Sequence, residues 1–170
     1  AAVAEAGRID LLVNNAGAAS LNALLLTPGA VAESLMRVNY LGAFHCLQAV
    51  GKVMVRQRAG LVVNLTTVAV PLSLEGEAAY VASKAAVEAL TRVAAKELAA
   101  QGVRVVAFGL GPVDTRLTRA VPKAALAKIN DAIGRAHGTS LAEAVDFIFA
   151  RIHAADLKSG AVEYLGEVPR

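Results

Sequence analysis

Leu61-Val-Val-Asn-Leu-Thr-Thr67, then Ala79-Tyr-Val-Ala-Ser-Lys-Ala-Ala86, then Val103-Arg-Val-Val-Ala-Phe108: this succession decides the fold. The outer two runs are short, apolar and Val-rich, the pattern of strands covered on both faces. Between them the spacing predicts a helix over Ala78–Ala100, with Gly102 placed just past its end to cap it. Strand, helix, strand in this rhythm predicts a parallel pair joined by a helical crossover. The same alternation continues outward. Ile9–Val13 reads as a strand, and Thr27-Pro28 supplies a helix start. That helix is expected to run to about Arg56 with a bend around Asn39–Gly42. Beyond Phe108, Arg116–Gly134 has weak helical character, Leu141–His153 has clear helical character, and Ala161–Leu165 reads as a last short strand.

Composition narrows the class. At 170 residues the chain is one domain with room for a real core. Hydrophobic residues make up 56% and charged residues 18%, with a mean hydropathy of +0.52. This fits a sheet buried between helices, since no uninterrupted apolar stretch approaches the ~18–20 residues of a membrane span. The net charge of +3 is scattered, and seven aromatic residues (four Phe, three Tyr) form no stripe with the basic ones, so nucleic acid is excluded as a partner. No targeting segment is present, which makes the cytoplasm the default. The single cysteine, Cys46, allows no internal disulfide and reads as a small buried hydrophobe. His45, His137 and His153 share no metal-ligand spacing, so no metal is assigned.

Chemistry concentrates at Tyr80 and Lys84. Four residues is one helical turn, so phenol and ammonium share a face. A neighbouring cation favours the phenolate and is expected to lower a phenol pKa that starts near ~10, making Tyr80 a proton donor or acceptor.

Three further segments accompany the pair: Asn14-Asn15-Ala16-Gly17 after the first strand, Thr67 thirteen residues before Tyr80, and Gly111-Pro112-Val113-Asp114-Thr115 after Val103–Phe108. In this order and spacing the chain resembles the short-chain dehydrogenase/reductase family, in its shorter, single-domain branch, from Gly7 to about Gly160. The resemblance implies an α/β, Rossmann-like doubly wound parallel sheet and the cofactor NAD or NADP. It implies oxidoreduction between a carbonyl and a secondary alcohol, a 3-oxoacyl thioester being one candidate substrate. Tyr80 then exchanges the proton, Lys84 assists it and bonds the nicotinamide ribose, and Thr67 stands where the family usually has serine to bind the reacting carbonyl. Asn39 matches an asparagine that bends the long helix and holds a relay water. Asn15, Ala16 and Gly17 would lie along the adenosine half of the cofactor. Gly111, Pro112, Val113 and Thr115 would meet the nicotinamide.

Departures are visible too. Thr67 and Leu110 stand where the family prefers serine and proline, and Thr67 also suits a plain strand end. An Asn39 facing solvent is the plain alternative to its family role. The chain opens with Ala1-Ala2-Val3, and no glycine-rich phosphate turn precedes Ile9. Residues 1–170 are therefore expected to be the C-terminal portion of a longer domain, inactive by themselves and with Ile9–Val13 left as an exposed edge. A homo-oligomer, dimer or tetramer, is expected of the full-length parent through the two long helices, Ala30–Arg56 and Ala78–Ala100. The competing function is a non-catalytic subunit that keeps the fold for assembly.

Overall fold

The computed structural model describes residues 7–115, 117–119 and 121–169. Strands β1 (Leu11–Asn14), β2 (Gly60–Thr67), β3 (Val103–Leu110) and β4 (Val162–Tyr164) form one parallel sheet in that order. Helices α1 (Gly29–Leu35), α2 (Gly42–Gln57), α3 (Ala69–Leu72), α4 (Ala78–Leu98), α5 (Lys123–Ala132) and α6 (Leu141–Ile152) fill the connections. This is the α/β, Rossmann-like architecture that the strand–helix rhythm predicts.

The two central strands are mostly apolar because both their faces are covered. Val62 and Val105, paired across β2 and β3, pack on Leu47 and Met54 of α2 and Ala94 and Ala95 of α4. Val63, Val106 and Phe108 point the other way, onto Leu157 and onto Phe147, Ile148 and Ile152 around α6. Phe108 and Phe147 meet edge to face, centroids 5.6 Å apart. Among the described residues β1 pairs only with β2, and Leu11 and Val13 are exposed on that open edge, as expected. None of the described helices is long and apolar enough to cross a membrane.

Both central strands run two residues further than their apolar runs. The register Thr66↔Gly109 and Thr67↔Leu110 carries the ladder to the residues that begin the functional loops. The expected bend is a π-helical turn, Met36–Leu41, between α1 and α2. Such widened turns inside helices recur at functional sites.

Two expectations change. Within Arg116–Gly134 only Lys123–Ala132 is helical, because Pro122 favours an extended residue before it and starts the helix itself. The preceding segment is held in turns, with the Thr118 hydroxyl donating to the Val113 carbonyl at 2.8 Å; Arg116 and Ala120 lie outside the described residues. Cys46 is exposed rather than buried: the buried stripe of α2 is Ala43, Leu47, Gly51 and Met54, and Cys46 falls beside it.

Gly102 ends the α4 segment in the left-handed region (φ +73), where a Cβ would strike the Arg58 carbonyl oxygen. Backbone on backbone cannot be relieved by a rotamer change. Gly102→Ala is expected to destabilise the fold by more than about 1 kcal/mol, measured by urea unfolding.

Candidate active site

Beyond the carboxyl ends of β2 and β3, where open α/β sheets carry their ligands, lies a cleft of about 520 Å³. It gathers nearly every residue that the sequence singled out. Asn15, Ala16 and Gly17 form one wall, Thr67, Tyr80 and Lys84 line the floor, and Gly111, Pro112, Val113 and Thr115 form the other wall. Asn39 is the exception. It stands behind the wall, 2% exposed, so the solvent-facing alternative does not hold.

Asn39 is a clamp. Its Oδ1 accepts from the Ala18 amide at 2.8 Å, and its Nδ2 donates to the Ala18 carbonyl at 2.9 Å and to Ser83 Oγ at 2.8 Å. Ser83 in turn donates to the Tyr80 carbonyl at 2.7 Å. One amide thus ties the loop after β1 to the turn of α4 that bears Tyr80. Gly17 fits this join because it is small: a Cβ there would sit 3.4 Å from both Asn39 Oδ1 and Lys84 Nζ.

Lys84 is buried and donates from Nζ to the Leu65 carbonyl at 2.9 Å. Removal from water disfavours its charge and lowers its pKa to about 8. Tyr80 is buried as well, and its pKa is pushed up to about 12. Burial is the main cause; the Thr67 hydroxyl works against it and the Glu77 charge adds to it. The expected lowering of the phenol pKa by Lys84 is not met: loss of hydration of the phenolate raises it, and Lys84 is not among the groups that shift it. Near neutral pH Tyr80 is therefore a protonated phenol. Thr67 keeps its hydroxyl at the floor, where Oγ1 also accepts the Ala69 amide at 3.2 Å.

Three supports escaped the sequence. Ser83 is one. Glu88, 4% exposed, is another: it accepts from Thr66 Oγ1 at 2.8 Å and from the Tyr164 hydroxyl at 2.7 Å. The Tyr164 ring lies against Gly109, where a Cβ would collide with it. Asn64 is the third, accepting from Asn14 Nδ2 and donating to Thr91 Oγ1, both at 2.8 Å. The spacing Tyr80, Lys84, Glu88 was the available signal, since it places Glu88 on the same buried face one turn further on.

A family model described as short chain dehydrogenase matches residues 1–126. Among curated proteins, a 3-oxoacyl-(acyl-carrier-protein) reductase of Staphylococcus epidermidis is 39% identical over 119 residues, 70% of this chain and 49% of that protein. One from Synechocystis is 40% identical over 111 residues, 65% of this chain and 45% of the relative. The Thermotoga maritima protein of that name is 38% identical over 119 residues, 70% and 48% of the two chains. The chain thus spans about half the length of the curated relatives it matches. The crystal structure of gox2181 superposes with a TM-score of 0.81 at 27% identity, covering 96% of this chain and 66% of that one.

Burial of Lys84 has a measurable signature. Its folded pKa of about 8 lies below the ordinary 10.5, so above pH 8 the folded state sheds a proton that the unfolded state keeps. Stability must then rise with pH between about 8 and 10, by about 2–3 kcal/mol from this group. Tyr80 opposes the trend only above its ordinary value of 10, where the unfolded phenol ionises first. Urea unfolding across pH 7–10 is expected to show the rise in the wild type and to lose it in Lys84→Met.

Proposed function

The chain belongs to the short chain dehydrogenase family, and we propose that it interconverts a carbonyl compound and a secondary alcohol with NAD or NADP. Tyr80 is the group that gives or takes the proton. The observation that carries this reading is the meeting of Thr67, Tyr80 and Lys84 in one cleft with two glycine-bearing walls.

The residues present fit a nicotinamide and its ribose. Gly17 and Gly111 bring backbone close at both sides of the cleft: a Cβ on Gly17 would sit 3.4 Å from Lys84 Nζ, and one on Gly111 within 2.8 Å of Ile133. The Lys84 ammonium makes one protein hydrogen bond and has three protons, which leaves donors for ribose hydroxyls. Asn15, Ala16 and Gly17 serve one side of the cofactor; Gly111, Pro112, Val113 and Thr115 serve the other. When bound, the nicotinamide supplies or accepts the hydride.

The chain's own residues do the rest. The Thr67 hydroxyl donates to the substrate oxygen and fixes the carbonyl on the floor. As negative charge grows on that oxygen, Tyr80 delivers its proton; in oxidation the same phenol returns to the protonated state. A phenol raised to about 12 is a weak acid alone. The cation of Lys84, one turn away, stabilises the phenolate at the moment it forms. Asn39, through Ala18 and Ser83, holds the two sides of the cleft in register. Homo-oligomerisation belongs to the same proposal: Val38 and Leu41 of the π-helical turn and Val93 of α4 are exposed on the helices expected to pair.

NADH and NADPH oxidation with a panel of aryl and alkyl ketones tests this reading. Tyr80→Phe is expected to lower kcat/KM by at least about 10³, and Thr67→Ala by about 10–100-fold while Thr67→Ser retains activity. Equal turnover in wild type and Tyr80→Phe overturns the assignment, and folded wild type that binds cofactor but turns over nothing favours a non-catalytic subunit. Light scattering is expected to give a mass above the 17.4 kDa of one chain, and Val93→Glu a shift toward it.

A further inference from the structure

Glu77, Tyr80 and Lys84 stand at spacings of three and four on α4 and at its N-cap, so one helix face presents carboxyl, phenol and ammonium in a row. All three line the cleft, and among its described lining residues Glu77 and Lys84 are the only charged ones. They sit at opposite ends. Lys84 lies at the Gly17 side, fixed to the Leu65 carbonyl. Glu77 lies two turns away along α4, its amide donating to the Leu74 carbonyl, and shares the cleft with apolar residues that include Leu117, Val121, Leu141 and Val145.

The Glu77 carboxyl is not used by the fold. It occupies the N-cap position of α4 yet makes no capping hydrogen bond, and it has no hydrogen-bond or ion-pair partner among the described residues. It is half-buried, and burial holds its pKa above the ordinary carboxylate range. Its charge is felt by Tyr80. Glu75, two residues back, is exposed and outside the cleft.

Resting on the reductase reading above, we propose that Glu77 is a specificity-determining residue that turns the substrate end of the cleft against anions. The substrate is then a ketone that is neutral or cationic beside its carbonyl, with an apolar remainder, rather than a free oxo acid. A carboxylate on the carbon next to the reacting carbonyl would be brought toward Glu77 in an apolar pocket, where like charges repel far more than in water. A hydroxyl or ammonium at that carbon would instead donate to the Glu77 oxygens.

Three probes of similar shape separate these cases: 2-hydroxyacetophenone, phenacylamine as its cation, and benzoylformate. Affinity is read by ligand-observed NMR and turnover by NAD(P)H oxidation, so loss of chemistry and loss of selectivity are scored apart. In the wild type at pH 7, the two donors are expected to bind at least about 10-fold tighter than benzoylformate. Glu77→Gln should compress the ratio to within about 3-fold, mainly by improving benzoylformate, and Glu77→Lys should reverse it. Across pH 5 to 7 the wild-type ratio should rise rather than fall with pH, the direction set by a carboxyl that burial shifts above its ordinary range, while that of Glu77→Gln stays flat. Over that range the other titratable groups lining the cleft, Tyr80 (about 12) and Lys84 (about 8), keep their protons. An unchanged ratio in Glu77→Gln, preferred binding of benzoylformate by the wild type, or no binding of any probe overturns the proposal. Selective binding without turnover would uphold Glu77 and count against the reductase reading alone.

Discussion

Helix α4 buries a polar face, and the rest of the structure is arranged to answer it. Ser83, Lys84, Glu88 and Thr91 are all nearly inaccessible, and each is met by another part of the chain: Ser83 by the π-helical turn, Lys84 and Thr91 by Leu65 and Asn64 of β2, and Glu88 by β4. A buried polar group left without a partner costs about 1–3 kcal/mol, more if charged. The face therefore requires the strand ends, the loop after β1 and the helix to share one relative placement. Apolar packing alone would tolerate sliding; these directed bonds do not.

That requirement explains why so many contacts fall just outside the apolar runs. β2 and β3 could have ended with Leu65 and Phe108, yet each continues by two ladder residues. The added residues bring Thr66 to Glu88, Thr67 to Tyr80, and Gly109 under the Tyr164 ring. The same groups that register the sheet against the helix also place the reactive hydroxyls. Stability and function conflict only at Lys84. Burying its ammonium weakens the fold near neutral pH, and a neutral side chain of similar size would serve packing better. Its retention is intelligible through the site, where a cation beside Tyr80 has chemical value.

Much of this was legible beforehand, for identifiable reasons. Strands covered on both faces leave continuous apolar runs, so β2 and β3 were plain. Tyr80 and Lys84 stood out because their spacing sets phenol and ammonium on one helix face, and Thr67 and Asn39 because they match the family's pattern. What the chain concealed were relations across space. Asn14 and Asn64 each look like a strand-end asparagine; only the parallel register sets them opposite one another. Glu88 looks like an exposed helix acid until β4 brings Tyr164 over it. The direction of the Tyr80 shift was misjudged because spacing reports the nearby cation but not the depth of burial, and burial is the larger effect here. Cys46 was misplaced for a similar reason: one position around a helix separates the packed stripe from solvent.

The cleft also has a direction that neither composition nor motif conveys. Its helix enters with an acid that has no partner among the described residues, reaches the phenol one turn later and the ammonium one turn after that. Glycine walls accompany the cationic end, and aliphatic walls the acidic one. If Glu77 acts as proposed, two charges two turns apart on α4 divide one continuous pocket into a part suited to the cofactor's ribose, beside Lys84, and a part suited to an uncharged or cationic ketone.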